Sequence, residues 1–269
     1  RIVIVGAGPA GLAAAAEAAA AGHEVILLER SRRIGGQVVL AGAAPMHEEV
    51  ARSLRANYER LLDRVDIRLE TEGDEEAISA LAPAAVILAT GARPYEPAAL
   101  AAGLETVQAW DILAGPRPHG RRIVIADWGG DATGLAAADL LNRDGNEVVV
   151  AIGSVALGET LHQYQRNVYA ARLYRAGVRL EHHLELAEAE DSHVRFRNLF
   201  APDLETRIAA DLLVLALGRV PEHGLAQRLE ARGLEAHEAG DCLSPRSIEE
   251  AIFEGTLAAQ AIEAGSSSR

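Results

Sequence analysis

The first thirty residues, RIVIVGAGPAGLAAAAEAAAAGHEVILLER, limit what this chain can fold into more than any other stretch. The apolar run Ile2 to Val5 leads into Gly6, Gly8 and Gly11, small residues fill a helix-length segment to Gly22, and a strand-like run, Glu24 to Leu28, ends in Glu29. Strand, glycine turn, helix and strand in this order form a unit that holds a nucleotide. Gly6 permits the tight turn, Gly8 lets a pyrophosphate reach the backbone, and Gly11 lets the helix lie close to the strand. The helix start offers unpaired N–H groups and a partial positive charge to phosphates. Glu29, eighteen residues beyond Gly11, stands where a carboxylate accepts ribose hydroxyls.

The pattern begins again at Arg122. RIVIA repeats RIVIV, a glycine turn follows, Thr133 to Arg143 reads as a helix, and Glu147 to Ile152 as a strand. Ala84 to Ala89 is a continuous apolar run closing on Thr90 and Gly91, and Asp211 to Leu217 closes on Gly218 in the same way, as strands covered on both faces do. An internal duplication follows. The expected fold is α/β, with two Rossmann-like dinucleotide-binding domains, the second inserted in the first. Residues 1–113 and 222–269 form the expected nucleotide-binding domain, and 114–221 a second, dinucleotide-binding-like domain.

The two turns differ. In place of G-x-G-x-x-G the second reads DWGGDATG, two residues longer and with carboxylates at Asp127 and Asp131. Those charges disfavour a pyrophosphate. The next strand ends in Ala151, Ile152, Gly153 and Ser154, with no acid for a ribose. Gly129, Gly130 and Gly134 therefore mark either a possible second nucleotide site or a domain that has lost its ligand.

Composition removes several chemistries. All 26 basic residues are arginine, so no lysine serves as Schiff base or P-loop cation. The net charge of −13 repels nucleic acid and anionic membrane surfaces, and no apolar run reaches the eighteen residues of a membrane span. Cys242 is the sole cysteine, which excludes an internal disulfide, a C-x-x-C pair and a Cys-ligated cluster within this chain. The expected compartment is reducing and cytoplasmic. Arg1 directly precedes the first strand and the sole methionine is Met46, so the chain reads as cut from something longer.

Other segments point to structure. Among the nine histidines there is no paired ligand spacing; His182 and His183 would face opposite sides of a strand, and no metal site is expected. Val50, Leu54 and Leu61 share a face of a helix over 48–62, and Gly158 to Gly177 contains another helix, an amphipathic surface element or an interface. Strands are expected at Val178 to His183 and Val194 to Arg197. Ser247 and Glu250 have the spacing of a capping box for a last helix that buries Ile248, Ala251, Ile252, Ala259 and Ile262. Cys242 suits a small buried residue, Gly35 and Gly36 a turn or a close approach, and GSSSR a disordered end. No general acid or base stands out, so the catalytic residues are left unknown.

GAGPAG with Glu29, ATGARP at 89–94, ALGRVP at 216–221 and AGDC at 239–242 together resemble the flavoproteins with two dinucleotide-binding domains. IGGQ at 34–37, DWGGDATG at 127–134 and SPRSIEEAIFEG at 244–255 narrow this to the C-terminal nucleotide-binding half of the Old Yellow Enzyme-like NADH:flavin oxidoreductases, the group of 2,4-dienoyl-CoA reductase, trimethylamine dehydrogenase and related N-demethylases. Thioredoxin reductases fit less well, since their C-x-x-C pair is missing. The resemblance implies that Gly6, Gly8 and Gly11 bind the pyrophosphate and Glu29 the adenosine ribose. Gln37 would lie toward the flavin, Thr90 and Gly91 would line the cofactor, and Asp241 would meet the ribityl or pyrophosphate portion. The start of the last helix would point at the flavin pyrimidine edge. The implied cofactor is FAD, or alternatively ADP, for the domain of residues 1–113 and 222–269, with NAD(P)H possible at the second site, in 114–221. The implied role is an FAD-binding electron-transfer module of a larger NAD(P)H:flavin oxidoreductase or amine dehydrogenase/demethylase; the alternative is a non-catalytic ADP-binding structural domain. The implied partner is a barrel half carrying FMN and a 4Fe–4S cluster, with any oligomer formed through the parent enzyme.

Overall fold

Every residue of the opening strand is buried, and this decides its place at the centre of a sheet. The computed structural model describes residues 1–44, 46–98 and 103–266, the side chains of residue 50 and residues 263–266 excepted. In chain order the elements are β1 (Ile2–Val5), α1 (Pro9–Ala20), β2 (Val25–Leu28), α2 (Gln37–Ala41), α3 (Glu48–Leu61), β3 (Asp66–Arg68), α4 (Glu75–Ala80) and β4 (Ala85–Leu88). There follow β5 (Ala92–Pro94), β6 (Thr106–Gln108), α5 (Ala109–Ala114), β7 (Arg122–Asp127), α6 (Ala132–Arg143), β8 (Glu147–Ile152), α7 (Gln163–Arg175) and β9 (Arg179–His182). The chain ends with β10 (Leu184–Ala189), β11 (His193–Asn198), β12 (Glu205–Ala209), β13 (Leu212–Ala216), β14 (Arg219–Pro221), α8 (Leu225–Glu230), β15 (Ala236–Glu238) and α9 (Ile248–Ser266).

Two five-stranded parallel sheets have the same plan. Their orders are β15-β4-β1-β2-β3 and β6-β13-β7-β8-β9, each with an RIVI strand in the middle. The α/β class with two Rossmann-like domains, and the duplication, are therefore what the chain adopts. Residues 1–42, 48–93 and 220–269 form one compact unit, and 43–47 with 94–219 form the other, inserted one. The outward crossing lies at 93/94, where the sequence reading placed it at 113/114. Residues 106–114 belong with the second unit because β6 pairs with β13 and α5 packs on α6.

Each sheet buries both faces, as the continuous apolar runs require. In the first unit Ile2 and Ile4 face α1, α3 and α9, while Val3 and Val5 face the side of α4 and α8. In the second, Ile123 and Ile125 pack under α5, α6 and α7, and Val124 and Ala126 pack on the antiparallel sheet β10-β11-β12. The small residues of α1 let α9 come unusually close: a methyl group on Gly255 would fall 2.1 Å from the Ala10 carbonyl oxygen.

Several local expectations change. On α3, Leu54 packs against the core but Leu61 is 51% exposed; Tyr58 and Leu62 supply the buried contacts, and the side chain of Val50 lies outside the described residues. On α9, Ala251 and Ala259 are buried and Ile252 and Ile262 partly so, whereas Ile248 is 39% exposed because it stands at the very start of the helix. The capping box forms: Glu250 accepts the Ser247 N–H at 3.1 Å, and the Ser247 hydroxyl accepts the Glu249 N–H at 3.2 Å. His183 leaves its strand with φ +63° and meets Phe200 edge-on, so the two histidines do not simply alternate. Helix α7, Gln163–Arg175, lies within the expected 158–177 segment. Strands β10 and β12 were not expected from sequence; their Glu-rich, short segments gain stability from pairing with β11. Of the closing GSSSR, Gly265 and Ser266 end α9 and the last three residues lie outside the described residues.

Candidate functional site

The first glycine turn is built from three glycines with three different surroundings. Gly6 has φ +99°, and a methyl group there would fall 2.3 Å from the Ala89 carbonyl oxygen. On Gly11 it would fall 1.8 Å from the Gly6 carbonyl oxygen, so neither position has room for a side chain. At Gly8 it would meet nothing within 4 Å. Gly8 is also the N-cap of α1, where no side chain caps the helix, and Pro9 follows. The open face of Gly8 thus lies over first-turn N–H groups that have no intrahelical acceptor. Gly36 lies close against the turn: a methyl on it would fall 2.9 Å from the Gly8 Cα.

Glu29 is 8% exposed at the end of β2. Its Oε2 accepts the Ala7 N–H at 2.7 Å and its Oε1 the Ser31 N–H at 2.8 Å. A carboxylate has about four acceptor positions, so the two bonds hold it in place and leave capacity for hydroxyls. Across the strand ends, Gln37 donates from Nε2 to Asp241 Oδ2 at 2.9 Å, joining residues 204 positions apart. Asp241 Oδ1 accepts the Arg246 N–H at 3.1 Å. Thr90 and Gly91 lie at the end of β4; the Thr90 hydroxyl donates to the Glu222 carbonyl at 3.4 Å, and Gly91, at φ +79°, faces the Gln37 amide. The first unit therefore gathers Gly6, Gly8, Gly11, Glu29, Gln37, Thr90, Gly91 and Asp241 at the carboxyl ends of its strands, where open α/β sheets bind ligands. Cys242 beside them is buried, its thiol donates to Leu88 and Ala239 carbonyls, and burial pushes its pKa up, which suits packing rather than thiolate chemistry.

The second turn has the same scaffold with other contents. A methyl on Gly134 would fall 3.0 Å from Ala216 Cβ, as one on Gly11 meets Ala89 Cβ, and one on Gly129 would fall 3.1 Å from the Ala216 carbonyl, as one on Gly6 meets that of Ala89. Gly134 thus corresponds to Gly11 and Gly129 to Gly6, and the extra residues are Asp127 and Trp128. The residue in the place of Gly8 is Asp131. Its side chain caps α6 by accepting the Thr133 N–H at 2.8 Å, and Arg219 lies 3.9 Å from its other oxygen. Asp127 is 2% exposed; Oδ1 accepts the Gly130 N–H at 3.3 Å and Oδ2 has no partner among the described residues. Burial, with Asp131 nearby, pushes its pKa up to about 7.

The space around this turn is uneven. On the β13 side Trp110, Asp131, Thr133 and Arg219 leave only about 10 Å³, room for one water. On the β8 side a cleft of about 280 Å³ opens between Trp128, Gly130, Gly153, Val155, Glu159 and Leu199. Sequence reading named Gly129, Gly130 and Gly134 but missed Trp110, Glu159 and Arg219. The register was readable: counting back from Gly134, Asp131 and Gly129 have the offsets of Gly8 and Gly6 from Gly11. Among the described residues no cluster of three His, Cys, Asp or Glu side chains could hold a metal, and no helix is long and apolar enough to cross a membrane.

Two parallel-sheet units, one nested in the other, with a glycine turn and an acid at the first, define a dinucleotide-binding flavoprotein-type module. Residues 1–246 match the family model described as pyridine nucleotide-disulphide oxidoreductase, and the chain belongs to this family. It is 32% identical to N,N-dimethylglycine/sarcosine dehydrogenase of Chromohalobacter salexigens, over 94% of this chain and 42% of that protein. It is 30% identical to an NADH oxidase of Thermoanaerobacter brockii, over 95% of this chain and 40% of the relative. The fold matches histamine dehydrogenase from Rhizobium sp. 4-9 with a TM-score of 0.87 at 20% identity, over 96% of this chain and 43% of that one. The resemblance to the nucleotide-binding half of Old Yellow Enzyme-like oxidoreductases holds, and the chain spans about two fifths of the relatives' length.

Proposed function

We propose that the first glycine turn holds FAD and that the chain is the FAD-binding electron-transfer module of a larger NAD(P)H-dependent flavin oxidoreductase or amine dehydrogenase. The observation that carries this is the uncapped start of α1 with Gly8 open above it, flanked by an anchored Glu29 and by the Gln37–Asp241 pair. When bound, FAD supplies hydride and single-electron chemistry. The chain's residues would supply position. Glu29 accepts ribose hydroxyls, the first turn of α1 carries the pyrophosphate, Gln37 and Asp241 stand toward the ribityl chain, and Thr90 and Gly91 line the flavin end. ADP would use the same residues only as far as the pyrophosphate, whereas FAD would also reach the Gln37–Asp241 pair; this supports FAD. The catalytic partner half, the amine or other substrate and a second nucleotide belong to the parent enzyme, whose relatives carry names that include a dehydrogenase and an NADH oxidase.

The purified chain is expected to be yellow and to release FAD on acid treatment; a colourless protein releasing only ADP overturns the proposal. Glu29→Ala is expected to lower retained nucleotide roughly tenfold or more, the scale of hydrogen bonds to a charged group. Unchanged occupancy after extensive dialysis would remove Glu29 from the site.

A further inference from the structure

We infer that the second unit has exchanged a dinucleotide site for a smaller one that takes an uncharged, planar, hydroxyl-bearing ring compound of nucleoside kind against Trp128. Three features converge on it. First, the place of the pyrophosphate is taken from within: Asp131 stands where Gly8 stands in the first copy, its carboxylate caps α6, and Arg219 is drawn to that carboxylate. A phosphate arriving there would have to displace an anion that is part of the chain. Second, on the β13 side of the turn, toward which the far end of a dinucleotide would run, Trp110, Asp131, Thr133 and Arg219 line a pocket of only about 10 Å³.

Third, the half on the β8 side remains open and has a coherent lining. Trp128, inserted by the two extra residues of the turn, is 52% exposed and presents an indole to the cleft. Gly129, Gly130 and Gly153 allow a flat ligand to come close to backbone, and Val155 and Leu199 add apolar wall. Glu159 is the one ionisable residue among those lining the cleft. It offers acceptor oxygens to hydroxyls and repels phosphate. About 280 Å³ lies just below the range of about 300 to 1,000 Å³ of small-molecule sites and suits a compact ligand.

Equilibrium dialysis of the full chain with adenosine, AMP and NAD⁺ tests this. Binding is expected to weaken by roughly tenfold or more from adenosine to AMP and again to NAD⁺, one such step corresponding to about 1.4 kcal/mol. Trp128→Leu should lower adenosine affinity about tenfold, the scale of base-on-aromatic stacking. In a Trp110→Phe chain, whose only indole is Trp128, adenosine should quench the fluorescence, which gives the readout without altering the cleft. NAD⁺ binding as tightly as adenosine in a Trp128-dependent manner overturns the proposal. So does adenosine binding that is indifferent to Trp128→Leu, or the absence of quenching. Because the signal belongs to Trp128, the outcome stands whatever nucleotide the first turn holds.

Discussion

The two glycine turns share a strand order, an RIVI strand and a tight glycine under the helix, yet their helix starts are satisfied in opposite ways. At α1 the N-cap is Gly8, which has no side chain and open space beside it; at α6 it is Asp131, which caps the helix with its own carboxylate. The difference teaches that the fold conserves the need for an anion-like acceptor at a helix N-terminus but does not prescribe where it comes from. One copy leaves the need unmet by its own side chains and the other meets it internally. The second copy also buries Asp127, a carboxylic acid that the first copy lacks.

The largest effect that would separate the copies is steric. Gly11→Ala places a methyl 1.8 Å from a backbone oxygen, whereas Gly134→Ala meets side-chain atoms at 3.0 Å. Gly11→Ala is expected to destabilise by about 3 kcal/mol or more and Gly134→Ala by about 1 kcal/mol, measured by urea denaturation. Equal costs would mean that the two helices pack equally close to their glycine turns. Both tryptophans lie in the second unit, so fluorescence follows that unit and circular dichroism follows both.

Asp127 gives the next effect. Its folded pKa of about 7 lies above the ordinary 3.8, so between those values the folded chain keeps a proton that the unfolded chain has released. Stability should therefore fall as pH rises from about 4 to about 7 and level off above. Asp127→Asn should flatten that slope and stabilise the protein at pH 8 by on the order of 2 kcal/mol, while matching the parent chain near pH 4. A variant that is destabilised at pH 8 would show that the ionised carboxylate has a stabilising partner. The smallest effect is the cap itself: Asp131→Ala should cost ~1 kcal/mol in the fluorescence-detected transition. No change would mean that α6 does not depend on its internal anion.

Much of the first site could be read from residues in order, because its parts repeat at fixed offsets: three glycines, then an acid after the next strand. The Gln37–Asp241 bond could be anticipated only as two residues near one cofactor, since nothing local to either residue names the other. The second site was harder. The carboxylates of Asp127 and Asp131 were visible as charges, but sequence assigned both the same repulsive part. Burial divides them: Asp127 is withdrawn into the core with a raised pKa, and Asp131 turns to the helix start. Leu61 and Ile248 show the same limit on a smaller scale. Helical spacing places them on an apolar face, and the end of each helix lies beyond what the core covers.

By itself the sequence determined the class, the duplication, the nesting of one unit in the other and the residues of the first turn. Strand burial and glycine geometry are local requirements with a regular period, so they are written in consecutive residues. Only the tertiary structure decided which oxygen meets which donor, that Asp131 turns its carboxylate to the start of α6, and that a cleft opens beside Trp128. Those outcomes depend on which side chains reach the same volume from distant parts of the chain. Packing sets them, and no periodicity encodes it.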